Sequence, residues 1–164
     1  MENSLHKFSN AIFDGANPSE AKKAAIFVHG RGDASNGLQQ LARQVVRSND
    51  FALAFPKATN ATWYPASFLQ PWEVNQPWLD SALDNLNKIV KIFNDNGIAD
   101  ENIYFLGFSQ GACLALDYTA RNAKKLLALE LTKLKIIQAI AVLSTPLVNR
   151  STCQLSPKAA MNGV

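Results

Sequence analysis

Apolar positions follow two different spacings along the chain, and the two alternate. Ala24 to Val28 (AAIFV), Phe51 to Phe55 (FALAF) and Ile103 to Leu106 (IYFL) are unbroken apolar runs, too brief for helices and closed by glycine or proline. Such runs predict strands buried on both faces of a sheet. Between them the spacing changes to the helical one. Leu38, Leu41, Ala42, Val45 and Val46 recur at i, i+3, i+4, i+7 and i+8, behind Ser35 as a candidate N-cap. Leu79, Leu83, Leu86, Val90 and Phe93 share one face of a second helix, which Gly97 stops. Ala112 to Tyr118 is small and apolar and predicts a buried third helix. Phe8 to Phe13 predicts an outer strand, and Gly15 to Lys23 a turn-rich connection. Strands alternating with helices imply an α/β domain with a mainly parallel sheet.

The pattern weakens toward the C-terminus. Leu126, Leu127, Leu129, Leu131 and Leu134, with lysines between them, suggest another helix, and Ile136 to Leu143 a strand ending before Pro146. The expected organisation is a domain over 1–146, incomplete on its C-terminal side, followed by an irregular tail over 147–164 without periodicity.

Composition narrows the class. A chain of 164 residues, 48% hydrophobic and 18% charged, is expected to fold as one soluble domain with a substantial core. The first ten residues are polar and no run is long enough to cross a bilayer, which suggests a cytoplasmic protein without an integral membrane segment. Cys113 lies in the apolar helix and is expected to be a buried, reduced thiol rather than half of a disulfide with Cys153. With His6 and His29 as the only histidines, neither a metal centre nor another cofactor is expected. The net charge of +3 is uneven: residues 1–123 carry ten basic and twelve acidic side chains, residues 124–164 six and one. The basic side chains of the tail are scattered, without the glycine and aromatic spacing of an RNA-binding module, so no nucleic-acid partner is expected.

The chemistry centres on Asn102 to Leu116, NIYFLGFSQGACLAL. Gly107, Ser109 and Gly111 form G-x-S-x-G between a predicted strand and a predicted helix. A chain turning that sharply lifts a serine hydroxyl clear of the sheet edge, and glycines remove the Cβ atoms that would collide at the bend. Ser109 is therefore the candidate nucleophile. The free backbone N–H groups at the start of the following helix suit the negative oxygen that develops when a carbonyl is attacked. A second loop, His29-Gly30-Arg31-Gly32-Asp33, follows the first buried strand. Read as a nucleotide fingerprint it fails, because position 35 is serine and no acidic residue closes the strand Phe51 to Phe55. Residues 57–77 form a long irregular connection carrying Trp63, Tyr64, Phe68 and Trp72, with Trp78 just beyond, and most of these rings are expected to pack the loop onto the body.

Taken together, AIFVHGRGD, TWYPASF and NIYFLGFSQGACLALDY, in this order and at these separations, resemble the phospholipase/carboxylesterase family of α/β-hydrolases, which includes acyl-protein thioesterases. The resemblance covers roughly residues 8–123. It implies an α/β-hydrolase fold and a serine hydrolase cleaving small-molecule esters or thioesters through an acyl-enzyme on Ser109. It further implies an oxyanion hole from the backbone N–H groups of Arg31 and Gln110, whose side chains would be less constrained than their geometry. His29, Gly30, Gly32, Gly107 and Gly111 would support these loops, and Trp63 and Tyr64 would lie beside the substrate groove.

The chain also departs from the family pattern. Members carry nucleophile, aspartate and histidine in that order, yet no histidine follows Ser109 here, and the later acids are only Asp117 and Glu130. Asp117 lies two helical turns beyond the serine, roughly 12 Å away by helical rise alone. The expectation is a truncated or frame-disrupted hydrolase with crippled activity and a sheet edge prone to self-association. The alternative is a noncatalytic module of the same fold that binds an acyl ligand or a protein partner.

Overall fold

The computed structural model describes residues 5–33, 35–46, 49–127 and 140–141. Among the described residues, five strands form one sheet: β1 (Ile12–Gly15), β2 (Lys23–Val28), β3 (Phe51–Phe55), β4 (Ile103–Gly107) and β5 (Ile140–Ala141). Their order across the sheet is β1-β3-β2-β4-β5. β2, β3, β4 and β5 run parallel, and β1 alone pairs antiparallel, with β3. The described helices are α1 (Asn36–Val45), α2 (Trp78–Asp95) and α3 (Gln110–Leu127). The sheet is thus mainly parallel, as the alternating pattern requires.

Two apolar layers hold the sheet. On one face Ala24, Ile26, Val28, Ala52, Ala54, Ile103 and Phe105 meet Leu79, Leu83, Leu86, Ile89 and Phe93 of α2 and Leu114, Ala115 and Tyr118 of α3. On the other, Ala25, Phe27, Leu53 and Phe55 meet Leu38 and Ala42 of α1, with Phe27 stacked on Phe55 at 5.2 Å between ring centres. Small residues alternate with large ones along β3, and two alanines open β2, which lets helices approach both faces. Of the predicted α1 stripe only Leu38 and Ala42 are buried; Leu41 and Val45 remain 37% and 54% exposed.

Three details differ from the sequence reading. The outer strand is Ile12–Gly15 rather than Phe8 to Phe13, because Phe8–Asn10 closes into a 3-10 turn through Asn10 N–H to Lys7 O and Ala11 N–H to Phe8 O. Ser35 occupies the N-cap position of α1 but makes no capping bond; its backbone is left-handed (φ 69) and its buried hydroxyl donates to Pro56 O at 3.3 Å. It ties the start of α1 to the end of β3 instead. Cys113 is in no described disulfide but is only half-buried, since it sits at the margin of the buried face of α3. Of the strand expected over Ile136 to Leu143, Ile140–Ala141 is described and pairs with β4; of the helix expected over Leu126 to Leu134, Leu126 and Leu127 belong to the end of α3; the rest of both, the tail over 147–164 and Cys153 lie outside the described residues.

Candidate active site

The site forms where β4 turns into α3. Phe108 N–H donates to Val28 O at 3.1 Å, Gly111 N–H to Phe108 O at 2.9 Å and Ala112 N–H to Ser109 O at 2.9 Å, so the turn is fixed from both ends. Ser109 sits at its apex, exposed, with φ 49. A non-glycine residue held left-handed costs about 1–3 kcal/mol and persists only where its surroundings impose it. Gly107 and Gly111 are those surroundings. A Cβ on Gly107 would run into the Ala112 backbone, and one on Gly111 into the carbonyls of Val28 and His29. The absence of both side chains lets α3 start directly against β4 and the end of β2. Among the described residues the Ser109 hydroxyl has no protein hydrogen bond.

Arg31, from the loop after β2, stands in the same region. Neither its backbone N–H nor that of Gln110 meets a protein acceptor among the described residues. Gly30 carries no Cβ because Phe108, one residue before the serine, packs its ring and carbonyl into that space. Gly32 N–H donates to Ala61 O at 2.8 Å, and Asp33 N–H to Gly30 O at 3.3 Å, which shapes the loop.

The side chains of Arg31 and Gln110, expected to be less constrained than the backbone geometry, are both engaged by hydrogen bonds. The Gln110 carboxamide accepts from Trp63 N–H at 3.0 Å and donates to Tyr64 O at 2.8 Å. The Arg31 guanidinium donates to the carbonyls of Tyr64, Pro65 and Ala66 at 3.0, 2.9 and 3.1 Å. Tyr64 O therefore receives a donor from each.

His29 is buried, and both ring nitrogens are occupied. Ala58 N–H donates to Nε2 at 3.0 Å, which leaves the proton on Nδ1 to donate to Gly30 O at 2.7 Å. Burial lowers its pKa below the ordinary histidine value, with the Gly30 carbonyl opposing the shift. This imidazole is a neutral strut. His6, which the sequence did not single out, is held in the opposite tautomer: Thr59 N–H donates to Nδ1 at 3.1 Å and Nε2–H donates to Trp63 O at 2.8 Å. Asn75 was also missed. Buried in the same loop, it accepts from Ala66 N–H at 2.9 Å.

Trp63 and Tyr64 are 0% and 2% exposed and belong to the core. Trp63 Nε1 donates to His29 O at 2.9 Å, and its ring lies 4.8 Å from the His29 ring. Neither ring presents a surface to a groove, so the apolar contact expected there is spent on packing. Asp117 is 0% exposed and pairs with Arg121 at 3.0 Å within α3, away from the serine. A cleft of about 340 Å³ between α2 and α3, lined by Val90, Asp100, Ile103, Phe105 and Tyr118, adjoins the N-terminal end of β4, whereas Ser109 follows its C-terminal end. Among the described residues, no group of side chains could hold a metal ion, and no helix is long and apolar enough to cross a membrane.

The family model described as Phospholipase/Carboxylesterase matches residues 15–130, most of the chain and all of the site. The chain belongs to this family. A phospholipase/carboxylesterase from Dyadobacter fermentans DSM 18053 has a crystal structure similar to this one, with 42% identity and a TM-score of 0.66, over 74% of this chain and 56% of that one. Acyl-protein thioesterase 1 of Kluyveromyces lactis is 33% identical over 133 residues, 71% of this chain and 58% of the relative. Its Saccharomyces cerevisiae counterpart is 32% identical over 125 residues, 65% and 55% respectively. The fold is that of an α/β-hydrolase. This chain of the phospholipase/carboxylesterase family spans a little over half the length of these relatives, at 55% to 58%.

Proposed function

We propose that Ser109 is the nucleophile of a hydrolase acting on carboxylic esters or thioesters. Its oxygen attacks the acyl carbonyl, the negative charge passes to the carbonyl oxygen, and loss of the alcohol or thiol leaves an acyl-enzyme. The backbone N–H groups of Arg31 and Gln110 receive that charge, each donor contributing about 3 kcal/mol in comparable sites. The single observation that carries this reading is the exposed Ser109 at φ 49, at the apex of a turn pinned between β4 and α3. Likeness to two acyl-protein thioesterases and to a phospholipase/carboxylesterase supports the substrate class.

Proton transfer is the weak point of this polypeptide. Both nitrogens of His6 and of His29 are engaged with backbone groups, and no histidine follows Ser109 in the sequence. The serine proton then has no imidazole to accept it, and turnover by these 164 residues is slow. Free imidazole in the buffer can stand in for the missing base. A fluorophosphonate probe tests the assignment: the adduct maps to Ser109, forms faster as imidazole is added, and is absent from Ser109→Ala. An adduct elsewhere, or one that survives in Ser109→Ala, contradicts it.

The engagement of both imidazoles also favours a second reading, a noncatalytic module that binds an acyl ligand. Thermal stabilisation by a fatty acid without any reaction of Ser109 would support that reading instead.

A further inference from the structure

We propose that the side chains of Arg31 and Gln110, joined through the main-chain carbonyl of Tyr64, set the separation of the two amide donors beside Ser109. The inference rests on the nucleophile reading above and deepens it. The two donors belong to different elements, one to the loop after β2 and the other to the first turn of α3. An oxyanion is served by two donors only if both lie about 2.7–3.1 Å from one point, so something must hold their spacing.

The carbonyl of Tyr64 is the shared anchor. Gln110 Nε2 reaches it at 2.8 Å and Arg31 Nη2 at 3.0 Å, which uses both lone pairs of a single oxygen. Each residue then makes a further bond that stops it pivoting: Gln110 Oε1 accepts from Trp63 N–H at 3.0 Å, and Arg31 reaches Pro65 O at 2.9 Å and Ala66 O at 3.1 Å. The anchor is itself fixed. Trp63 Nε1 donates to His29 O at 2.9 Å, His6 Nε2–H donates to Trp63 O at 2.8 Å, and Asn75 Oδ1 accepts from Ala66 N–H at 2.9 Å. A chain of hydrogen bonds therefore runs from one donor residue, through a buried segment, to the other.

The chemistry of the pair explains why these residue types suit the task. A planar guanidinium supplies several donors in fixed directions and engages three successive carbonyls at once. A carboxamide presents an acceptor to one peptide group and a donor to the next, which matches Trp63 N–H and Tyr64 O. Glutamate would keep the first contact and set like charge density against the second. Arg31 and Gln110 thus act twice, as backbone donors and as positioning side chains.

The test measures fluorophosphonate labelling of Ser109 in imidazole buffer and separates the maximal rate, kinact, from the half-saturating probe concentration. Gln110→Ala, Gln110→Glu and Arg31→Ala retain both backbone N–H groups. Each is expected to lower kinact about ten- to a hundredfold, the scale of a misplaced reacting geometry, with half-saturation unchanged. Arg31→Lys, which keeps one donor for Tyr64 O, recovers part of the loss. Circular dichroism and melting identify variants that fail to fold, and the conservative pair Gln110→Glu and Arg31→Lys decides the matter if the alanine variants unfold. Folded variants that label as fast as the parent, or that change only half-saturation, overturn the positioning role and leave the nucleophile standing. A parent chain that does not label at Ser109 even with imidazole overturns the nucleophile, and the positioning role with it.

Discussion

Ala58 donates its backbone N–H to Nε2 of His29 at 3.0 Å, which takes the one nitrogen this histidine could have offered as a base. The imidazole nearest the serine in the motif pattern is thereby committed to joining the loop after β2 to the loop after β3. Replacing it by alanine leaves the Ala58 N–H without its partner, takes one of two donors from the Gly30 carbonyl, which keeps Asp33 N–H, and opens a void beside Trp63. The expected loss is about 3 kcal/mol of stability by urea denaturation. His29→Asn, if folded, should label at Ser109 with the same pH dependence as the parent. A flattened pH profile would show that His29 handles the proton after all.

Stability should depend on pH through both histidines. Burial is the main cause of the lowered pKa of His6 and of His29, so each has a folded-state pKa below the ordinary 6.5. Between the two values the unfolded chain binds more protons than the folded one, and stability therefore rises with pH. The contribution is complete above about pH 6.5 and is lost as pH falls toward the lowered values. Melting temperatures across pH 8 to 5 check this: a decline beginning near neutrality is expected, and His6→Gln with His29→Gln should flatten that limb. A melting curve insensitive to pH in this range would contradict it.

Asp117 is closed off from solvent within α3, and Arg121, one turn later, meets it at 3.0 Å. Removing one partner of a buried ion pair leaves a charge in a medium that solvates it poorly, at a typical cost of about 3–5 kcal/mol. Arg121→Met should therefore destabilise more than Arg121→Met combined with Asp117→Asn. Equal losses in the single and double variants, measured by chemical denaturation, would show that the pair does not couple.

Leu41 and Val45 of α1 are exposed, and on the face of the sheet that α1 covers Tyr104 and Leu106 of β4 are only half-buried. Apolar surface left without cover drives association. Sedimentation velocity should show a mass average that rises with concentration, and Leu41→Lys with Val45→Glu should lower it. A single monomeric boundary at all concentrations would remove this expectation.

Much of the architecture was legible in the sequence because it depends on local spacing. The runs AAIFV, FALAF and IYFL locate β2, β3 and β4 to within a residue, since so short an unbroken apolar run admits little else, although in β4 one face, that of Tyr104 and Leu106, is only half-buried. The helical stripes locate α1 and α2 for the same reason. Gly107, Ser109 and Gly111 place the sharp turn because the motif is compact: at Gly107 the exclusion acts between near neighbours, although at Gly111 it comes from Val28 and His29, distant in the sequence. Legibility ended where a polar side chain spends its hydrogen bonds on distant backbone. Ser35 has the identity of a cap, yet a left-handed backbone sends its hydroxyl to Pro56. Nothing local to His6, Asn75, Arg31 or Gln110 announces that all four converge on residues 59–67. The one available signal was the loop itself, which is long, rich in aromatics and set between β3 and α2, and which demands polar partners for its buried peptide groups.

The central claim is that Ser109 attacks an acyl carbonyl, and the most direct measurement is intact-mass spectrometry of the chain after exposure to an activated ester in imidazole buffer. One acyl group per chain, mapped to Ser109 and missing in Ser109→Ala, is the predicted result. Absence of any acyl adduct, or its appearance at another residue, would contradict the account.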